Sequence, residues 1–355
     1  MVEPAQSAYA QAGVDIEAGD RAVALMKGFV KRTERSEVIG GIGGFAGLFD
    51  ASKIARFHHP VLATSTDGVG TKVAIAQALD IHDTIGFDLM GMLVDDLVVT
   101  GAEPLWVTDY IACGRVVPER IASIVKGIAD ACVVAGCALL GGEVAEHPGL
   151  LGPDEYDVAG ATTGVVEHDD MLGPERVRPG DVAIAMASSG LHSNGYSLVR
   201  KVLLTDAGWA LDRDVAELGR TLGEELLEPT KVYALDALAL IEAHDVHAMS
   251  HITGGGLANN LARVIPDGIT VRIDRMSWRP PAIFELVRDL GRVSQADIEA
   301  TLNQGVGMIA LLPAEQADAA LALLNRRGVR SWICGEAATG EDGEPGTVEL
   351  VGSHG

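Results

Sequence analysis

The sequence predicts a mixed α/β fold in two units, and three features carry that prediction. Apolar runs of strand length alternate with segments of helical periodicity, glycine clusters stand at the junctions between them, and a polar, proline-containing run from Glu167 to Asp181 divides the series. At 355 residues, with 48% hydrophobic and 22% charged, the chain has material for two ordinary domains, set at 1–168 and 169–355.

In the first unit, residues 15–31 are amphipathic and read as a helix leading into Gly40-Gly41-Ile42-Gly43-Gly44. A strand over Val61–Thr66, a helix over Asp88–Thr100 and a strand over Leu105–Ala112 follow. The next helix is expected over Pro118–Ala135, because Ile121, Ile124, Val125, Ile128, Ala129 and Cys132 fall on one face and Pro118 suits its first turn. Strands from Ala138 into Gly141-Gly142 and over Tyr156–Val166 close the unit. The second unit repeats this alternation, with a strand over Val182–Ala187, helices over Gly195–Thr205 and Pro229–Ala243, a strand over His247–Thr253 running into Gly254-Gly255-Gly256 and a helix, strands near Ile269 and Val306, and a helix over Ala314–Arg327. The acidic, glycine-rich tail from Thr339 to Gly355 is expected to be loosely held.

Composition narrows the function. A formal charge of −23 argues against a nucleic-acid backbone or an anionic membrane surface as partner and favours a small-molecule substrate. The 43 glycines exceed the usual ~7% and cluster without a period, which suggests backbone held close to ligands. Cys113, Cys132, Cys137 and Cys334 form no C-x-x-C pair, and the N-terminus carries acidic residues where a signal peptide carries basic ones, so a reduced, cytoplasmic chain is expected. No apolar run of about 18 residues marks a membrane span.

The stretch TSTDGVGTK, residues 64–72, is not a Walker loop, since one residue separates Gly68 from Gly70. Its aspartate, Asp67, stands at a strand end, where ligand sites gather; the alternative reading is an Asp-Gly turn. In DLMGMLVDDLVVTGAEP the helix is apolar on nearly every face, yet Asp95 and Asp96 sit in its middle, so at least one must meet a cation or a hydrogen-bond network. Glu143 follows another buried strand and two glycines. Asp67, Asp96 and Glu143 together suggest an oxygen-ligand site for Mg²⁺, with a solvated turn carboxylate as the alternative for Glu143. SSGLHSNGYSLVRK places His192, Ser193 and Asn194 before a helix capped by Ser193 or Asn194, where free amides attract an anion. SHITGGGLANN offers His251, Thr253 and Gly254 at a similar junction. Lys27 and Lys72 supply positive charge in an acidic chain; His147 has weaker grounds.

Taken together and in order, AGVDIEAGDRAV, GGIGGFAGLF, TDGVGTK, HDTIGFDL, DDLVVTGAEPL, LLGGEVAEHPG, YDVAGATTGVV, SSGLHSNGYSLVRK, EPTKVY, HITGGG and GVGMI resemble the phosphoribosylformylglycinamidine cyclo-ligase (aminoimidazole ribonucleotide synthetase) family of purine biosynthesis over almost the whole chain. The resemblance implies that ATP activates the formyl oxygen of formylglycinamidine ribonucleotide as an iminophosphate, and that ring closure then expels phosphate. It implies Mg²⁺ on Asp67, Asp96 and Glu143, with Glu143, Lys27 and His192 in catalysis and K⁺ as a candidate monovalent cation. Gly40, Gly41, Gly43, Gly44, Gly68, Gly70, Thr71 and Lys72 would cradle phosphates, and Ser193, Asn194, His251, Thr253 and Gly254 would meet substrate. It also implies a homodimer whose N-terminal sheets join in a barrel. The family usually has asparagine at Asp95 and methionine at His147. Thiamine-phosphate kinase, which shares the fold, is the nearest rival; a non-catalytic nucleotide-binding dimer is another.

Overall fold

A computed structural model describes residues 15–41, 44–341 and 343–354; Gly43 lies outside them. The first sheet has strands β1 (Pro60–Gly68), β2 (Glu103–Cys113), β3 (Ala138–Glu146) and β4 (Tyr156–Glu167) in the order β1-β4-β2-β3. β4 is antiparallel to β1 and β2, whereas β3 runs parallel to β2. A parallel pair needs a long crossover, which the helix Pro118–Ala135 supplies. Side chains alternate along β1. Val61 and Ala63 pack against Leu97, Ala102 and Val166, while Leu62 and Thr64 face outward, so one face of the sheet is covered by helices and the other is open.

The helix Pro118–Ala135 has the predicted bounds and buries the predicted face. It packs on Ile16–Lys31, which buries Ala22, Met26 and Val30, and on Ile85–Met90. The second contact is backbone against backbone: a Cβ on Gly127 would lie 1.9 Å from the Asp83 carbonyl oxygen, and one on Gly86 2.1 Å from the Gly127 carbonyl carbon.

The second sheet contains β5 (Asp181–Ala187), β6 (Ala248–His251), β7 (Ile269–Asp274), β8 (Val306–Pro313), β9 (Ser331–Thr339) and β10 (Thr347–Val351), ordered β6-β8-β5-β9-β7-β10. All neighbours are antiparallel except β7 and β10. One apolar core runs from the helices of the first unit into Ile184 and Met186 of β5 and on to Tyr196, Val199 and Phe284. The opposite face of β5 belongs to a separate core with Ile252, Leu257, Trp278 and Cys334. The two units are therefore joined by shared packing, not by the connecting segment alone.

Several sequence expectations are corrected. The tail is not loose: β10 adds to β7, and Arg275 donates to the carbonyls of Leu350 and Gly352. The helix expected from Pro229 begins at Ala234, because Thr230 is drawn into a buried polar contact described below. The helix Asp88–Thr100 is Ile85–Met90 followed by a π-turn over Gly91–Asp95 and one helical turn over Asp96–Val98. The helix Gly195–Thr205 is Tyr196–Arg200 with a π-turn over Lys201–Asp206, and its cap is Gly195 at φ 73°, not Ser193 or Asn194. The strand His247–Thr253 is shortened to Ala248–His251.

Because the helix contact at Gly127 leaves no room for a methyl group, Gly127→Ala is expected to cost about 1–3 kcal/mol of stability. Urea denaturation measures this; an unchanged midpoint would contradict the close packing.

Candidate active site

Four turns meet where the units join. β1 runs through Gly68, so Asp67 lies inside the strand's end, and its Oδ1 accepts from the Gly68 amide at 2.7 Å. The next turn is tied to the second unit: Ser193 Oγ donates to the Val69 carbonyl at 2.7 Å, and Thr71 Oγ1 stands 3.4 Å from Ser197 Oγ. Asn194 Nδ2 reaches Met92 Sδ at 3.3 Å, and a Cβ on Gly254 would lie 3.4 Å from Asn194 Oδ1. His251 Nδ1 lies 2.8 Å from Asp96 Oδ1. The structure thus brings Asp67, Asp96, Ser193, Asn194, His251 and Gly254 into one neighbourhood. Asn260, which the sequence did not single out, shapes the glycine turn by donating to the carbonyls of Thr253, Gly254 and Gly256.

Lys72 departs from expectation. It is fully buried, and its ammonium donates to Asp88 Oδ1 at 2.7 Å, to the His192 carbonyl at 3.0 Å and to the Glu228 carbonyl at 2.6 Å. An ammonium has three protons, and all three are engaged, so none is left for a phosphate. Asp88 Oδ1 also accepts from Thr230 N at 2.9 Å and Thr230 Oγ1 at 2.6 Å. The solvent-facing cradle expected of Lys72 is in fact a buried ion pair.

Charge in the neighbourhood is arranged unevenly. Crowding around the Asp67 carboxylate raises its pKa, and the nearby Asp96 charge adds to the rise. Burial works to lower the pKa of His251, but the hydrogen bond to Asp96 and the charges of Asp95, Asp96 and Asp67 outweigh it and raise the value. Asp95 is buried, accepts from Tyr233 N at 2.9 Å, and is pushed up to about 7 by burial. His192 sits at φ 60°, a left-handed conformation that side chains rarely take. Its Nε2 accepts from the Ser189 amide at 3.2 Å, which assigns the proton to Nδ1. Burial, helped by the positive charges of His251, Lys72 and Lys231, holds its pKa well below the ordinary range, so the ring is neutral. His192 Nδ1, His251 Nε2 and Asp95 Oδ2 are buried with no hydrogen-bond partner among the described residues.

Glu143 is not brought to this cluster. It is in register with Tyr110 on β2 and lies on β3, at the opposite edge of the sheet from Asp67, which is in register with Gly160 on the helix-covered face. Among the described residues, no three His, Cys, Asp or Glu side chains stand close enough to hold a metal ion. The acid that shares the row of Asp67 is Asp109, also in register with Gly160, and burial pushes its pKa up to about 7. A charge in the middle of the apolar run LWVTDYIAC was the signal for it. Asp109, Glu143 and Gly44 line a cavity of about 260 Å³ whose walls include Ala22, Met26, Val30, Val125 and Leu139. Lys27 is exposed on the helix that forms one wall, and Gly40 and Gly41 are exposed, with nothing within 4 Å of a Cβ added at either. Gly70 takes the positive φ, 74°, that lets the chain turn after β1.

Residues 50–166 match the family model for the AIR synthase related protein, N-terminal domain, and residues 178–346 match the one for its C-terminal domain. A protein of Shouchella clausii named phosphoribosylformylglycinamidine cyclo-ligase is 51% identical over 335 residues, covering 94% of this chain and 97% of that protein. The chain belongs to the phosphoribosylformylglycinamidine cyclo-ligase family. A Geobacillus kaustophilus protein of the same name is 50% identical over 333 residues, covering 94% of this chain and 96% of its own. Among solved structures, thiamine-monophosphate kinase of Stenotrophomonas maltophilia superposes with a TM-score of 0.69 at 20% identity, covering 94% of this chain and 97% of that one. HypE, a hydrogenase maturation protein of E. coli, reaches 0.63 at 16%, covering 94% of each. These two share the fold of the cyclo-ligase family, and their low identity carries no more than that.

Folded His192 stays neutral, so below about pH 6.5 the unfolded chain binds a proton that the folded chain does not. Its contribution to stability is present above that pH and lost as pH falls through it. Denaturation between about pH 7.5 and 5.5 should show a midpoint that declines less steeply in His192→Asn than in the unaltered protein; parallel profiles would contradict neutral burial.

Proposed function

We propose that this chain is an ATP-dependent cyclo-ligase that converts formylglycinamidine ribonucleotide to aminoimidazole ribonucleotide. The observation that carries the reading is 51% identity, over 94% of this chain, to a protein named for that reaction. The γ-phosphoryl group of ATP passes to the formyl oxygen, giving ADP and an iminophosphate. The substrate's own amine nitrogen then attacks the formyl carbon, the carbon–oxygen bond breaks, and the oxygen leaves with phosphate. Chemistry of this kind draws mainly on positioning and charge stabilisation.

Asp67 and Asp96 suit the Mg²⁺ that accompanies ATP. Each has one oxygen engaged, by Gly68 N and by His251, and a second oxygen without a hydrogen-bond partner among the described residues. Mg²⁺ usually takes one or two carboxylates and completes its shell with phosphate and water, so a third protein acid is not required. When bound, it neutralises charge on the phosphate chain. Neutral His192 donates from Nδ1 to an oxygen of the substrate or the transferring group, which satisfies a buried donor. Ser193, Asn194, His251, Thr253 and Gly254 border the substrate side. We assign the base of ATP to the apolar cavity, with Glu143, Gly44 and Lys27 around its mouth; its size and lining support this. K⁺ stays a candidate, as does the domain boundary after residue 168.

The open face of the first sheet is proposed as the homodimer contact. Leu62 is 59% and Tyr110 41% exposed there, beside Thr64 and Thr108. A cytoplasmic location accords with the absence, among the described residues, of a helix long and apolar enough to cross a membrane.

Purified protein given ATP, Mg²⁺ and formylglycinamidine ribonucleotide should form ADP and aminoimidazole ribonucleotide one for one; ATP hydrolysis without substrate, or no turnover, refutes the assignment. Asp67→Asn should lower turnover by roughly 10²-fold and weaken Mg²⁺-ATP binding, and near-normal kinetics remove Asp67 from the metal shell. Light scattering should give the mass of two chains for the unaltered protein and of one for Leu62→Arg/Tyr110→Arg; a monomeric unaltered protein rejects the interface.

A further inference from the structure

Lys72 is the residue whose position departs most from its expected role, and its contacts suggest another. It closes the turn that follows Asp67, it is fully buried, and its three acceptors come from three segments: Asp88 on the helix Ile85–Met90, and the carbonyls of His192 and Glu228 in the second unit. The His192 carbonyl belongs to the one residue of the SSGLHSNG turn that adopts a left-handed backbone without being glycine. Three ties hold that conformation: the ammonium on its carbonyl, the Ser189 amide on its Nε2, and the following hydroxyl, Ser193 Oγ, on the Val69 carbonyl. Without the ammonium, the 192–193 peptide is free to rotate toward an unstrained conformation. The imidazole then loses its register with the Ser189 amide, and Nδ1 points elsewhere.

We propose that Lys72 is a positioning residue for the reaction: through the His192 carbonyl it fixes the direction of the His192 Nδ1–H, and it does not touch the phosphate chain of ATP. The idea rests on the cyclo-ligase activity proposed above. Three donors meeting three convergent acceptors at 2.6–3.0 Å in a closed space suit an ammonium and not a planar guanidinium. The Asp88 carboxylate orients the ammonium and, through its two bonds from Thr230, holds the segment that follows Glu228 in place.

The test compares Lys72→Met with Lys72→Met/Asp88→Asn, the second avoiding a lone buried charge, in full-length protein. The single variant should lower kcat by about 10²-fold, since misplaced groups cost that much, and leave KM for ATP within about threefold, as expected when no ground-state ATP contact is lost. Its thermal midpoint should fall. In the double variant the midpoint should recover while kcat stays low. A rise of KM for ATP by about tenfold or more with kcat retained would make Lys72 a phosphate ligand, and recovery of kcat along with the midpoint would make it a structural pin alone; either overturns the proposal. A second measurement needs no variant activity and separates failure of this idea from failure of the assigned reaction. In ¹⁵N-lysine-labelled protein, the Lys72 ammonium should exchange slowly and keep its shift when a non-hydrolysable ATP analogue and Mg²⁺ are added. Movement of that resonance would count against the proposal whatever the enzyme's reaction.

Discussion

The register of the site depends on a buried ion pair. Lys72 and Asp88 are both wholly excluded from solvent, and each opposes the other's desolvation: burial lowers the pKa of the lysine and raises that of the aspartate, while their mutual attraction pulls both back. A buried pair of this kind stabilises little in net terms, but breaking it strands a charge at a cost of several kcal/mol. Its consequence here is geometric. Because the remaining bonds of the pair go to His192, Glu228 and Thr230, the turn after β1 docks on the second unit in one register. That register puts Asp67 in the same electrostatic neighbourhood as Asp96 and His251.

A second constraint is the two-residue period of the first sheet. It sets Asp67 and Asp109 in one row on the helix-covered face, while Glu143 is out of that row on β3, at the opposite edge of the sheet from Asp67. Gly160, between Asp67 and Asp109 in that row, lies under Leu93 and Leu89, and Asp109 beyond it faces the cavity walled by Ala22 and Met26. The π-turn at Gly91–Asp95 comes just before Asp96, so Asp95 turns inward to Tyr233 while Asp96 meets His251.

Much of this was legible in the chain. The periodic face of Pro118–Ala135 and its proline fixed that helix to the residue, the apolar helix around Asp95 and Asp96 announced them as groups needing partners, and the strand end before Gly68 pointed to Asp67. What sequence could not supply was the partner. Lys72 resembled a loop lysine because its acceptors lie 16, 120 and 156 residues away. Glu143 resembled a third metal ligand because strand register is a tertiary property. Thr347–Val351 looked like a frayed tail because an edge strand needs only β7 as a template, and composition does not reveal one.

Amide hydrogen exchange tests most directly whether the buried pair governs the site. In Lys72→Met/Asp88→Asn, protection should fall together at residues 189–194 and at 230–233, while the helix Pro118–Ala135 keeps the exchange rate of the unaltered protein. Unchanged protection at residues 189–194 would show that the His192 turn holds its shape without the ion pair.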